Sequence, residues 1–256
     1  MEVTAMLTEK TIEQLRKMKL GVIADEYERQ MNDPDARILS FDDRFGMMVD
    51  LENARRENGR ITKLIALAGF TDRNACVENI TYLPDRNLNV AEIQQLASCA
   101  YIERNVNVKL LGATGSGKTF LANALGVAAC RKGYSVKYVN LQDMLVEFAF
   151  ARESGEFNKV FAAYKRTQLL IVDDWLMFDI VDDTEASSLY NLIEAHKYSG
   201  AMIICSQLDV KGWHGRIRNK VAADSICDRL AHGPHEIIVR GEMRKFVAEK
   251  AIPAGA

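Results

Sequence analysis

The chain has 256 residues, 48% of them hydrophobic and 27% charged, with a formal net charge of -2 at pH 7. That length allows one ample domain, or one with a small appendage, and enough apolar material for a core without metals or staples. With 33 Lys+Arg against 35 Asp+Glu, overall charge excludes bulk attraction to nucleic acid or anionic lipid, so any such contact must come from local patches.

No uninterrupted apolar run approaches the roughly 18 residues needed to span a bilayer. Met1-Glu2-Val3-Thr4-Ala5-Met6 lacks the basic stretch and apolar run of a secretory signal. The five cysteines (Cys76, Cys99, Cys130, Cys205, Cys227) are odd in number and form no C-x-x-C pair, so neither a disulfide framework nor a zinc site is expected. A reduced, cytoplasmic location is the expectation.

The first 70 or so residues read as helical. Ile12, Leu15, Met18 (or Leu20), Val22 and Ile23 recur at helical spacing, with Thr8 as the expected N-cap. Asp33-Pro34-Asp35 breaks the pattern, and Ser40 caps a second helix with Phe41, Phe45, Met48, Val49 and Leu51 on one face. Arg55, Arg56, Arg60 and Lys63 then cluster within nine residues, countered only by Glu57. Such a run reads first as a solvated helix face.

From about residue 75 the texture changes. Tyr82–Asn87 reads as a loop and Val90–Tyr101 as a helix. Apolar runs of strand length follow at Val106–Leu111, Val136–Asn140, Leu169–Val172, Ala201–Cys205 and Ile237–Val239. Helical patterns at 118–131, 141–151, 156–167, 184–198 and 220–231 separate them, predicting a parallel sheet covered on both faces. The expected domains are 1–72, helical; 73–250, α/β; and a tail at 251–256.

The stretch Gly112-Ala113-Thr114-Gly115-Ser116-Gly117-Lys118-Thr119 is a G-x-x-x-x-G-K-T loop between a strand and a helix that begins at Phe120. Its glycines let the backbone curl so that successive N–H groups point at phosphates, and the helix N-terminus adds its dipole. Lys118 places a cation on the β- and γ-phosphates, and the Thr119 hydroxyl suits Mg²⁺. ATP with Mg²⁺ is therefore the expected ligand. Leu169–Val172 delivers Asp173 and Asp174 to a strand's C-terminal end, where ligands of open α/β sheets sit. Asp173 is expected to support Mg²⁺ and Asp174 to polarise the attacking water.

Gly112–Thr119, Leu169–Trp175, Ser206-Gln207-Leu208, Trp213-His214, Asp228-Arg229-Leu230 and Gly241-Glu242-Met243-Arg244, in that order, resemble the IstB-type transposition helper ATPases. These belong to the DnaC-like helicase-loader branch of the AAA+ superfamily. The resemblance covers nearly the whole chain. It implies a three-layer AAA+ fold with a central parallel sheet, a small all-helical N-terminal domain for oligomerisation or DNA contact, and no C-terminal lid. It further implies a γ-phosphate sensor at Ser206 or Gln207, an arginine finger at Arg229 acting on a neighbouring subunit's nucleotide, and a second sensor at Arg244. Asp174 stands where Glu is usual, which predicts slow or partner-dependent hydrolysis. Leu176 stands where a glycine usually follows the tryptophan.

The implied activity is that of a homo-oligomeric ATPase that binds duplex DNA, helps choose a target site and stimulates a partner transposase. Arg55, Arg56, Arg60 and Lys63 are its expected DNA contacts. The rivals are a DnaC-like loader of a replicative helicase and a nucleotide-gated scaffold with little turnover. Gly215–Lys220 is more basic than the family's usual stretch, and reads as a solvated loop or a contact to DNA or a neighbouring subunit. His232 and His235 read as members of a surface turn, and Trp175 and Trp213 as packing residues with polar handles.

Overall fold

The computed structural model describes residues 2–231 and 235–241, with the side chains of residues 8–36, 38–231 and 235–241. Arg244, His232 and the 251–256 tail lie outside the described residues. The chain divides into two compact units at Lys63/Leu64, nine residues before the expected boundary. The shift arises because Ala68 and Phe70 are buried in the second unit's core and Leu64 and Ile65 pack against it.

The first unit contains α1 (Glu2–Lys17), α2 (Gly21–Asn32), a 3-10 turn (Asp35–Ile38) and the start of α3 (Phe41–Leu67). Because α1 begins at Glu2, Thr8 lies inside the helix and is not its cap; nothing between Glu2 and Thr8 is a helix breaker. The expected single helix through Ile23 is instead two, separated at Lys19, whose φ is 61°. Ser40 does cap α3: its Oγ accepts from Asp43 N at 3.2 Å and donates to the Asp43 carboxylate at 2.6 Å.

Of the apolar face expected on α3, only Met48 is buried; Phe41, Phe45, Val49 and Leu51 are exposed. What α2 and α3 share is polar. Gln30 Nε2 donates to the Arg44 carbonyl while Arg44 Nε donates to Gln30 Oε1, and the buried Glu52 accepts from Val22 N.

The second unit carries α4 (Val90–Ala97), α5 (Ala100–Glu103), β1 (Val108–Leu111), α6 (Lys118–Arg131), β2 (Val136–Asn140), α7 (Leu141–Glu153) and α8 (Phe157–Lys165). It continues with β3 (Leu169–Asp173), α9 (Asp183–His196), β4 (Ala201–Ser206), α10 (Val210–Arg216), α11 (Lys220–Ala231) and β5 (His235–Ile238). Cys99, at φ 64°, divides the expected 90–101 helix into α4 and α5. α10 was not anticipated, and His235 opens β5 instead of sitting in a turn.

The five strands are parallel in the order β2-β3-β4-β1-β5. Alternate residues feed opposite faces, as strand geometry requires. Leu169, Ile171, Ala201, Ile203 and Cys205 join one apolar cluster with α4–α6; Leu170, Val172, Met202 and Ile204 join the other with α7, α9 and α11. Burial on both faces explains why the strands read as unbroken apolar runs.

The crossovers place every loop that follows a strand at one edge of the sheet. Beyond β1 lies the glycine loop, beyond β3 the acidic pair and beyond β4 Gln207, which is the arrangement from which open α/β sheets build sites.

Candidate active site

Gly112 leaves β1 at φ 155°, and a Cβ built on it would stand 2.2 Å from the Val239 carbonyl, so only glycine fits there. The loop ends at Gly117, φ 97°, which leads into α6. Lys118 is buried, and its ammonium donates to the Gly112 and Ala113 carbonyls at 2.7 and 2.9 Å. Burial holds the Lys118 pKa below its ordinary value, partly offset by Cys205, Asp173 and Asp174.

Thr119 Oγ1 donates to Asp173 Oδ2 at 2.7 Å, which joins the first turn of α6 to the end of β3. Asp173 is buried on the parity of Leu169 and Ile171, so it faces α6. Tyr138 OH donates to the same oxygen at 2.7 Å, and burial, followed by that carboxylate, pushes the phenol's pKa far up. Hydroxyl and carboxylate oxygens on one short edge are the hard donor set that Mg²⁺ takes.

Asp174 departs from the strand at φ 51°, in the left-handed region. Its N–H donates to Asp173 Oδ1 at 2.9 Å, and its Oδ2 accepts from Asn140 Nδ2 at 2.8 Å. Burial, then the neighbouring Asp173 charge, raises its pKa, while Asn140 and Lys118 oppose the shift. A carboxylate so placed is a stronger proton acceptor than a solvated one.

Leu176, at φ 50°, adopts the conformation that glycine favours. The strain is offset by complete burial of its side chain among Leu111, Trp175, Ile180 and the other members of the second cluster.

Trp175 and Trp213 are buried with their rings edge to face at 6.2 Å, in keeping with packing. Ser206 Oγ donates to the Trp175 carbonyl at 2.9 Å and accepts from Trp213 Nε1 at 2.9 Å and Leu208 N at 3.1 Å. That hydroxyl is committed to the scaffold. Gln207, by contrast, is exposed and lines a cavity of about 190 Å³ with Asp174, Trp175, Met177, Leu208 and Arg216.

Arg229 lies elsewhere, with partners on α9 and α11. Its Nε is paired with Glu194, its Nη2 donates to Tyr190 OH at 3.1 Å, and its Nη1 donates to the Ser225 carbonyl at 3.0 Å. The guanidinium lies 4.6 Å from the Tyr190 ring centroid. The Gly215–Lys220 stretch is largely tied down: Arg216 pairs with Asp179 at 2.9 Å, and Lys220 Nζ caps the His214 and Ile217 carbonyls.

In the first unit, Arg55 and Arg56 both neighbour Glu52, at 3.8 and 2.7 Å. The cluster is thus countered by a buried carboxylate one turn upstream as well as by Glu57.

Sequence reasoning missed Tyr138, Asn140 and Arg86. The first two alternate on β2, and parallel pairing sets Asn140 beside Asp173. A polar residue at the end of a strand next to the acidic one was the available signal.

A five-stranded parallel sheet with a G-x-x-x-x-G-K-T loop, a Thr–Asp pair and a second carboxylate beside them defines a P-loop ATPase. The chain belongs to the IstB-like ATP binding protein family, whose sequence pattern matches residues 13–251. It is 34% identical over 203 residues to the proposed ATP-binding protein of insertion sequence IS1162 from Pseudomonas fluorescens, covering 79% of this chain and 87% of that one. It is 30% identical over 237 residues to the proposed insertion-sequence ATP-binding protein y4pL of Sinorhizobium fredii, covering 93% and 96%.

In fold it is similar to the DnaC helicase loader (TM-score 0.55, 14% identity, 65% of this chain and 97% of that one). It is also similar to AMPPCP-bound DnaA from Aquifex aeolicus (TM-score 0.58, 20% identity, 71% and 55%). Among the described residues, no helix is long and apolar enough to cross a membrane.

Proposed function

We propose that this insertion-sequence ATPase assembles with ATP into a homo-oligomer on duplex DNA, helps select the target site and stimulates a partner transposase. The observation that carries the reading is the Thr119–Asp173–Asp174 edge beside the glycine loop, in a family of insertion-sequence ATP-binding proteins. Thr119 and Asp173 would hold Mg²⁺, which supplies charge neutralisation at the β- and γ-phosphates. Lys118 binds the same phosphates. Asp174 accepts the proton of the attacking water, held in place by Asn140, and Gln207 orients that water or the γ-phosphate. Of the two sensor candidates Gln207 is favoured, because Ser206 has spent its hydroxyl on the tryptophans.

Arg229 acts across a subunit interface, and Glu194 and Tyr190 hold it ready at the surface. Mixing Arg229→Ala with Lys118→Ala subunits is expected to restore part of the turnover that each lacks alone; no restoration removes the trans role. Arg55, Arg56, Arg60 and Lys63 contact phosphates, with Glu52 beside Arg55 and Arg56 and the Lys19 carbonyl also holding Arg56. Reversing the charge at Arg55, Arg60 and Lys63 is expected to lower DNA affinity and reduce the salt slope by about one per lost contact. An unchanged slope would remove these residues from the DNA surface.

The deciding experiment measures hydrolysis by the protein alone, with long duplex DNA and with single strands, alongside Lys118→Ala. Duplex stimulation that disappears in Lys118→Ala supports the proposal. A preference for single strands favours a helicase loader, and no turnover under any condition favours a nucleotide-gated scaffold.

A further inference from the structure

Arg86 closes a 3-10 turn (Pro84–Arg86) before the sheet begins, and the sequence marks it only as part of a loop. Its side chain is 3% exposed, an unusual fate for an arginine. Nη1 donates to the Thr81 carbonyl at 2.7 Å, within its own segment. Nη2 donates to the Ser116 carbonyl at 3.0 Å, thirty residues away in the phosphate loop.

The main chain of Arg86 is tied as well. Its carbonyl accepts from Arg240 N at 3.1 Å, and Asn87 Nδ2 donates to the Ile238 carbonyl at 3.3 Å. Gly241 has φ 78°, and a Cβ there would stand 3.4 Å from Arg86 Cγ. The guanidinium therefore joins the 81–87 turn to the phosphate loop, while the Arg86 carbonyl and the Asn87 amide tie that turn to the exit of β5.

The Ser116 carbonyl belongs to the peptide that carries the Gly117 N–H. That peptide is planar and trans, so carbonyl and N–H point in opposite directions. Whatever fixes the carbonyl also aims the N–H. Gly117 has no side chain to steer it and sits at φ 97°, so local sterics alone leave this plane loosely specified.

A buried arginine whose two terminal nitrogens grip carbonyls from different segments is a rigid fork suited to the task. Burial draws its pKa down, with Asp85 the largest opposing influence, but a guanidinium keeps its charge in proteins.

We propose that Arg86 is a positioning residue for nucleotide binding: by holding the Ser116 carbonyl it aims the Gly117 N–H at the phosphates, and its charge reinforces the anion cradle from behind. The proposal rests on ATP occupying the Gly112–Thr119 loop.

The test compares Arg86→Gln, Arg86→Lys, Lys118→Ala and the unaltered protein. The readouts are equilibrium binding of a fluorescent ATP analogue, steady-state hydrolysis, melting without nucleotide, and hydrogen exchange of peptides spanning Gly115–Lys118. Arg86→Gln is expected to weaken ATP binding by at least about tenfold, the scale of one lost charge-assisted bond. KM should rise in step while kcat stays within about twofold, as uniform binding requires. Exchange in the loop should quicken. Arg86→Lys keeps the charge but not the fork, and should recover part of the affinity. If Arg86→Gln does not fold, Arg86→Lys carries the test, with about threefold weaker binding and faster loop exchange expected.

Unaltered affinity and loop exchange in a folded variant overturn the proposal, as does a lower melting temperature with unchanged binding. Failure of the unaltered protein to bind, or normal binding by Lys118→Ala, overturns instead the assignment of ATP to the loop.

Discussion

In the sheet domain every residue of β3 and β4 is buried, and their apolar side chains divide between two clusters. In the helical unit, the buried side chains among the described residues are Ala24, Ala36 and Met48 on the apolar side and Glu26, Gln30 and Glu52 on the polar side. Large apolar side chains there, Ile38, Phe41 and Phe45 among them, face outward.

The first region rests on apolar area removed from water, a term insensitive to direction and to charge. The second rests on directed contacts to ionised groups, which are lost whenever one partner is removed or neutralised. A chemical site that needs atoms held in place sits in the first.

The sharpest way to sharpen this contrast is Gly112→Ala. The added methyl meets the Val239 carbonyl backbone, which cannot rotate away, so β1 and the segment after β5 must separate. A cost of roughly 3 kcal/mol is expected, the upper part of the range for overpacking. It should appear as a lower melting temperature of the whole sheet domain with loss of ATP binding. A variant that binds and melts normally would show this backbone to be more compliant than its contacts imply.

Glu52→Ala addresses the helical unit. It strips Arg56 and the Val22 N–H of their shared acceptor and frees Arg55 from its nearest carboxylate. Hydrogen exchange in α1–α3 should accelerate, melting should fall by several degrees, and hydrolysis without DNA should be retained. Uniform destabilisation of both units would break the comparison.

The same contrast explains what the sequence disclosed. In a parallel sheet, both faces demand apolar residues, so strand runs stand out and the loops that follow them fall at one edge. Gly112–Thr119, Asp173 and Asp174 were legible for that reason. Asn140 was not, because a polar residue at a strand end is an ordinary feature until pairing places it beside Asp173, and Tyr138 was not, because a mid-strand tyrosine reads as packing until its hydroxyl meets that carboxylate. Arg86 was hidden because its partner is a main-chain carbonyl, which leaves no mark in the sequence.

On α3, amphipathic spacing indicated a buried row, and Met48 alone obeyed. Periodicity reports which residues share a face; it does not report whether anything covers that face. Glu52 escaped notice for the converse reason: a glutamate among arginines reads as solvated until tertiary contacts bury it.

His196 offers a smaller effect that tests whether the apolar region is free of charge dependence. Its imidazole is 1% exposed, and burial holds its pKa below the ordinary 6.5, with hydrogen bonds to the Leu192 and Thr167 backbone opposing. The native state therefore resists the proton that the unfolded chain accepts. Stability is unaffected well above pH 6.5 and falls as pH drops through that value, until the native imidazole is itself protonated, by about 1.4 kcal/mol for each unit between the two pKa values. Denaturant melts of the unaltered protein and His196→Gln at pH 7.5 and 5.5 check this. The variant should lose less stability between the two, and equal losses would remove His196 as a source of the acid sensitivity.

The smallest expected effect is on the outward face of α3. Phe41 and Phe45, 76% and 51% exposed, stack on each other at 5.8 Å with an interplanar angle of 11°. If water is their neighbour in the folded state, as it is in the unfolded chain, replacing both with serine removes little burial and changes stability by no more than about 0.5 kcal/mol. The stacked pair adds no more than the low end of the aromatic-pair range, about 0.5 kcal/mol, because both rings are solvated. What should change is association: rings held out at the surface are costly in contact with water and gain when another surface covers them. Sedimentation of Phe41→Ser/Phe45→Ser over a range of concentrations should therefore show weaker self-association than the unaltered protein, at an unchanged monomer melting temperature. A melting temperature lower by many degrees in the dilute monomer would mean instead that these rings are covered within the folded chain, and that the helical unit has an apolar core after all.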